Sequence, residues 1–349
     1  MSTFKFEWIT DWETIYSEPF QQQWFRWCEN AINSHVFFHP ALCMAWIETY
    51  RSIRNIKPAF CIARFQDTVI FLPLVLWIQN WRNACYRLII PVGYSDFDYH
   101  DPLVNTNEFT NEIMPAFWVE LKHSLPQRFY FDSFILDGLR QYSHFPWFSE
   151  VIEISSFAYI GHFCYGGEFL QSLNTKLRGD IRRQIRRLQL LGNLHLITYK
   201  DPLLLEQSFT GFMERHTHRW SKAYKAPDFH HNLIYRGLPN GPVHFSELKV
   251  GEQTLSWHLG FLYNRCYYYY MPAINQEWQN YSPGKIHLFK LIEDAIEKGT
   301  DLFDFLRGEE KYKTGWSGNT QEIHQIDLHL TNMSNCYKRP LLFIKNKLF

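Results

Sequence analysis

The sequence predicts a mixed α/β fold in which one arrangement of elements occurs twice. Three observations carry this. The stretches Lys57–Gly138 and Pro242–Gly308 share one order: strand, two-residue turn, strand, third strand, loop, helix, closing strand. Runs rich in Val, Ile, Leu, Phe and Tyr alternate with segments whose apolar residues recur every three or four positions. The chain has 349 residues, 46% apolar and 20% charged, a globular composition long enough to build two cores.

Helices are expected near Glu18–Asn30 and Pro40–Tyr50. A hairpin then joins Pro58–Phe65 to Thr68–Ile78 around Gln66-Asp67. Cys85–Val92 is a third strand, and Gly93–Pro102 a polar, aromatic loop. Glu108–Leu125 is a helix with Ile113, Phe117, Leu121 and Leu125 on one face, and Phe129–Leu136 closes the first copy. Arg140–Gly167, rich in aromatics, Ser and Gly, is the expected connection. A long helix over Glu168–Leu191 carries the stripe Leu173, Leu177, Ile181, Ile185, Leu188 and Leu191 and ends at Gly192. A strand at Leu194–Tyr199 and a helix over Pro202–Trp220 follow. In the second copy a hairpin joins Val243–Val250 to Thr254–Tyr263, and Cys266–Met271 is the third strand. Its helix, Pro283–Lys298, has Pro and Gly at the start and Gly299 beyond the end. Leu302–Leu306 and Gln325–Leu330 are the last strands. A helix between strands permits a parallel crossover at the end of an antiparallel meander. The expected division is an N-terminal, non-catalytic lobe over 1–140, a connection over 141–167, and a second lobe with the site over 168–349.

Lys plus Arg equals Asp plus Glu at 35 each, so net charge gives no general reason for nucleic acid or an anionic membrane as partner. The seven cysteines form no C-x-x-C pair, which argues against a disulfide framework and against zinc. No metal is expected. The first 20 residues hold acidic groups and no apolar core, unlike a secretory signal. The longest apolar stretch, Val69–Ile78, is interrupted by Pro73 and too short to span a bilayer. A soluble cytoplasmic protein is expected.

The best site candidate is Tyr281-Ser282-Pro283-Gly284-Lys285 at the start of the second-copy helix. Ser282 can cap the helix, and Pro283 suits the first turn. Gly284 lets a ligand approach the backbone, free N–H groups favour a phosphate, and Lys285 adds a positive charge. The same spacing also describes a well-made helix start beside a loop. The second candidate is Asp304-Phe305-Leu306-Arg307-Gly308 with Tyr312 and Lys313 beyond. Asp304 can accept a proton, Tyr312 can donate one, and Arg307 and Lys313 can hold an anion; a solvated charged turn has the same composition. His258, alternating with apolar residues on its strand, is either a base or a satisfied histidine inside a sheet. Lys176, Arg178, Arg182, Arg183, Arg186 and Arg187 lie off the long helix's apolar stripe, either clamping phosphates or forming a solvated face. Serine-hydrolase, Walker and dinucleotide-binding motifs are absent from the sequence.

The stretch Leu173–Gly192, the helix ending in His216 and Arg219-Trp220, the phrase Tyr281-Ser282-Pro283-Gly284 and the run Phe303–Lys313 together resemble the GNAT-like acyltransferases of the FemAB and CelD type. The likeness is strongest over Glu168–Trp316 and extends to the first half by order of elements. It implies two tandem GNAT-like lobes and transfer of an acyl group, usually to an amine, with acyl-CoA (acetyl-CoA or longer) as donor. In that family the donor's pyrophosphate sits on the loop opening the helix after the third strand, here Tyr281 to Ile286. The usual pattern there is Gln or Arg, two residues, Gly, one residue, Gly or Ala; this chain keeps only Gly284, with Tyr281 and Ile286 at the flanks. The resemblance implies direct attack, with a backbone N–H near Met271 facing the oxyanion. Asp304 and His258 are assigned to proton handling, Tyr312 to the leaving group, and Arg307 and Lys313 to substrate binding.

The acceptor implied is a small-molecule, sugar or cell-envelope amine. Two other functions fit the same residues. One is a FemAB-like transferase using aminoacyl-tRNA, with the arginine helix on the acceptor stem. The other is a catalytically idle scaffold in polysaccharide synthesis.

Overall fold

A computed structural model describes residues 4–81, 84–106, 113–141, 144, 149–221 and 226–329. The chain divides into two compact units, Met1–Ile152 with Glu322–Phe349, and Glu153–Gln321. The division differs from the expected one at two places. The expected connection holds the ten-residue strand Glu150–Tyr159. The segment from Glu322 belongs with the first unit, because its strand pairs there.

The first unit runs β1 (Lys5–Ile9), α1 (Trp12–Tyr16), α2 (Glu18–Asn30), α3 (Pro40–Ile53), β2 (Ile56–Pro58), β3 (Phe60–Phe65), β4 (Thr68–Leu72), β5 (Leu74–Trp81), β6 (Ala84–Pro91), β7 (Leu103–Asn105), α4 (Ile113–Arg128) and β8 (Ser133–Leu139). The expected single strand over Thr68–Ile78 is two. Pro73 has no N–H to give a ladder, and the strands on either side of it join different sheets. One sheet has the order β1-β3-β4-β7, and β2, β5, β6 and β8 are neighbours in the other. Helix α4 makes the expected crossover, since β6 and β8 pair in parallel at Leu88↔Ser133 and Ile89↔Phe134. The start of that helix, expected at Glu108, lies outside the described residues, as does the end of the strand expected over Gln325–Leu330.

The second unit runs β9 (Glu150–Tyr159), α5 (Gly166–Ser172), α6 (Thr175–Gln189), β10 (Leu194–Tyr199), α7 (Glu206–Arg219), α8 (Phe229–Gly237), β11 (Val243–Val250), β12 (Gln253–Tyr263), β13 (Cys266–Ile274), α9 (Pro283–Glu297) and β14 (Leu302–Arg307). Strand β15 (Asn319–His329) then returns to pair with β8. The expected long helix over Glu168–Leu191 is broken into α5 and α6 at Leu173-Asn174. Asn174 takes an extended ψ, and its side chain accepts from the Leu177 N–H at 2.9 Å, which starts a new helix. The sheet order is β10-β11-β12-β13-β14-β9. Ile181 and Leu188 of α6, and Ile286, Phe289, Ile292 and Ile296 of α9, enter one core with Tyr267, Tyr269, Phe303 and Phe305 of the sheet. The apolar stripes read from the sequence are buried, except that Ile113, Leu177 and Ile185 are half-buried and Leu191 is exposed.

Candidate active site

The site begins where two strands part. β13 and β14 pair in parallel at Cys266↔Leu302, Tyr267↔Phe303 and Tyr268↔Asp304, and no further. Strand β13 nevertheless runs on to Ile274 and β14 to Arg307. A slot therefore opens beyond Tyr268 and Asp304. Local chemistry shapes the end of β14. Leu306 has φ +62°, costly for a branched side chain. The Asp304 carboxylate accepts from the Leu306 N–H at 2.8 Å. Lys313 donates to the carbonyls of Leu306, Arg307 and Gly308 at 3.3, 2.6 and 3.3 Å. The end of β14 is thus held by these side chains together with β9, which pairs with it at Arg307↔Ser155.

These contacts give several sequence candidates a structural task. Lys313 is buried, its ammonium saturated by three carbonyls and by Glu310 at 2.8 Å, so it is not presented to an anion. Arg307 pairs through Nε with Glu153 at 2.9 Å. His258 is buried beneath the sheet surface. Its Nδ1 lies 3.1 Å from the Tyr267 hydroxyl, and its ring stacks on Tyr269. Burial, reinforced by His287 and His244, holds its pKa well below the usual value, so it is neutral. Asp304 is also buried, but it stands at the last paired position before the slot.

Helix α9 starts at the far end of β13. Ser282 adopts a left-handed backbone (φ 52°, ψ 51°) and its side chain makes no cap bond, contrary to the capping role expected of it. A cap works from an extended backbone, which this residue lacks. Its carbonyl takes up the Lys285 and Ile286 N–H groups at 3.0 and 3.2 Å. Pro283 has no N–H. Among the described residues, Gly284 therefore offers the one unpartnered amide of the first turn. A Cβ on Gly284 would meet only Ile274 Cγ2 within 4 Å, at 3.3 Å, so this glycine borders the end of β13 and has room beside its Cα. Ile286 is in the core and its amide is used, so it has nothing to give a ligand. Tyr281 packs on Trp278 and lies 4.5 Å beneath the Arg187 guanidinium, which also donates to the Asn280 carbonyl at 3.1 Å. Helix α6 thereby pins the loop leading into α9.

Beside Lys285 lies a cavity of about 670 Å³. Asn174, which caps α6, and Lys176, Leu177, Gly179, Asp180 and Arg183 of α6 form one wall, and Lys311, Tyr312, Thr314 and Trp316 another. Four cations face a single carboxylate. Asp180 pairs with Lys285 and, at 2.5 Å, with Arg183. These contacts, Lys285 first, hold its carboxyl below the usual range. The Tyr312 hydroxyl pKa is raised, by burial first and then by Glu310, so it keeps its proton at neutral pH.

What fixes α9 has no signal in the sequence. His287 bridges two strands: Nε2 is 3.0 Å from Ser246 Oγ on β11, and Nδ1 is 2.9 Å from Ser256 Oγ on β12. Burial pushes its pKa down to about 3. His244 reaches the other side of the Tyr267 hydroxyl at 3.0 Å, and burial followed by Lys298 lowers its pKa to about 4. Among the described residues, no group of three or more His, Cys, Asp or Glu is placed to hold a metal ion, and no helix is long and apolar enough to cross a membrane.

Residues 175–314 match the family model of an acetyltransferase (GNAT) domain. The chain has no match among curated proteins. Its fold is similar to that of FemX, with TM-score 0.63 and 12% identity over 93% of this chain and 98% of that one. It is also similar to a conserved protein of unknown function from Bacteroides thetaiotaomicron, with TM-score 0.54 and 10% identity over 94% of this chain and all of that one. A tandem GNAT protein from the clavulanic acid biosynthesis pathway is similar at TM-score 0.49 and 8% identity, over 94% and 100% of the two chains.

Proposed function

We propose that this GNAT-superfamily N-acyltransferase, built on a FemAB-like tandem fold, takes its acyl group from acyl-CoA and transfers it to a primary amine. One observation carries the reading. The slot between β13 and β14 ends at Ile274, against which Gly284 packs, so an acyl arm in the slot meets an open amide and Lys285 at its phosphate end. The donor's diphosphate would lie on Gly284 and Lys285, with the cations of the cavity beside it.

The amine nitrogen attacks the thioester carbonyl, and a tetrahedral oxyanion forms against a backbone N–H of β13 near Met271. Collapse breaks the C–S bond. The proton lost by the amine passes to Asp304 at the head of the slot, and Tyr312, protonated at neutral pH, supplies one to the departing thiolate. Holding both substrates in register supplies much of the acceleration. Arg307 and Lys313 act through the shape of the β14 end, and His258 through the packing beneath the slot. The acceptor class is an amine of a small molecule, sugar or cell-envelope precursor. A cytoplasmic setting, where acyl-CoA is made, belongs to the same reading.

A second reading keeps the slot and changes the donor to aminoacyl-tRNA. It is favoured by the exposed Arg182 and Arg186 on α6, the helix that also walls the cavity. Thermal shift with CoA, acetyl-CoA and longer acyl-CoAs tests the first reading. Bound donor raises the melting temperature by linkage. No shift with any of them, together with binding of charged tRNA that weakens steeply with salt, replaces it by the second.

A further inference from the structure

The cavity is built for an anion, yet one already sits in it, on the protein's own chain. Asp180 neutralises Lys285 and Arg183, whereas Lys176 and Lys311 have no partner among the described residues. The bridge across the cavity is long-range: Asp180 lies on α6 and Lys285 on the first turn of α9, 105 positions apart. All four cations line the cavity, with Lys176, Arg183 and Lys311 exposed and Lys285 half-buried, so a phosphoryl group there can bridge several of them at once. Gly179, next to Asp180, has open space where its side chain would be, with no atom within 4 Å of a Cβ. Glycine in a helix interior is unfavourable relative to alanine. Its presence here leaves the cavity wall bare at the point where a ligand would lie.

We propose that Asp180 is an internal counter-anion: it occupies Lys285 and Arg183 in the empty enzyme and must be displaced by the phosphoryl groups of the incoming ligand. This deepens the acyl-CoA reading and rests on it for the identity of that ligand. Weak or singly charged anions do not overcome the intramolecular carboxylate, which is held at high effective concentration. A diphosphate does, because it recruits Lys176 and Lys311 as well. Asp180 therefore sets both the affinity for the donor and the discrimination among anions.

The test is calorimetric titration of the full chain with inorganic pyrophosphate and, separately, with CoA. Asp180→Asn keeps the size of the side chain and removes its charge. It is expected to tighten both ligands about fivefold, on the scale of one screened charge pair. Asp180→Asn with Lys285→Met is expected to return the affinity to the wild-type level or below. Gly179→Phe, which fills the open space without touching any charge, is expected to weaken both ligands about tenfold and carries the test should the first variant fail to fold. Unchanged or weakened binding in Asp180→Asn, or undiminished binding in Gly179→Phe, overturns the proposal. So does a wild-type protein and variant that both ignore pyrophosphate. Pyrophosphate tightened by Asp180→Asn while CoA binds neither protein leaves the counter-anion standing and removes acyl-CoA as the donor. CoA bound equally by both proteins does the reverse.

Discussion

The two copies of the repeated arrangement use the same connection, from third strand to helix, in opposite ways. In the first copy the residues after β6 include Asp96, Asp98, His100 and Asp101. Asp96, His100 and Asp101 are bonded to neighbouring side chains. Asp96 accepts from the Trp46 indole at 3.0 Å and the Tyr50 hydroxyl at 2.7 Å, and Asp101 pairs with the Arg140 guanidinium at 2.6 Å. His100 faces Asp137 at 3.1 Å. In the second copy the connection ends in an open glycine amide and a lysine at the mouth of a basic cavity. A parallel crossover alone is therefore no site. An acidic, internally bonded connection fills this place in one copy; in the other the connection carries Glu277 as its one charged residue and leads to Lys285 on the first turn of α9, with room beside it.

Four experiments break or sharpen that comparison. The largest effect is expected at Asp304. Asp304→Asn keeps an acceptor for the Leu306 N–H and loses the base, so kcat should fall about 100- to 1,000-fold with the fold intact. Undiminished turnover in steady-state assays removes Asp304 from the chemistry. Next is the contrast between the two lysines. Lys313→Ala strands three carbonyls and should cost about 2–3 kcal/mol in urea unfolding. Lys285→Ala should leave stability within about 0.5 kcal/mol and raise the donor KM about tenfold. Similar losses of stability in both would erase the distinction between a structural and a presented lysine.

The third concerns pH. His244 and His287 are neutral in the fold, with pKa values pushed down to about 4 and about 3 from 6.5. The unfolded chain binds protons first as pH falls, so their contribution is complete above about pH 6.5 and declines toward pH 4 for His244 and pH 3 for His287. Urea unfolding between pH 7.5 and 4.5 should show falling stability, and His287→Gln should flatten the slope. The smallest effect is expected in the first copy. Asp96→Asn should leave donor affinity unchanged in titration; a change would mean that the closed connection also serves the donor.

Much of the second copy was legible because its strands and α9 have strong periodicity and clear terminators: Pro283 and Gly284 at one end, Gly299 at the other. The apolar stripe of α6 was legible for the same reason. What was hidden depends on partners far apart in sequence. Nothing in the run around Asp180 announces Lys285. His287 lies between Ile286 and Leu288 in a helix buried on most sides, with no signal of the two serines it joins. Lys313 looks like a substrate cation until the carbonyls of β14 fold back onto it. The left-handed backbone at Ser282 also overrode a favourable capping residue, leaving one free amide where several were expected. In the first copy, Pro73 sat in plain view inside an apolar run, and the run's hydrophobicity hid the change of sheet there.

The central claim is that a donor's diphosphate sits on the Gly284 amide and Lys285. Calorimetric titration with acetyl-CoA, comparing wild type with Gly284→Val, tests it most directly, because the added side chain covers that amide and little else. Saturable binding by the wild type, weakened at least about tenfold by the valine while the melting temperature holds, is the expected result. Equal affinity in the two proteins, or none in the wild type, contradicts it.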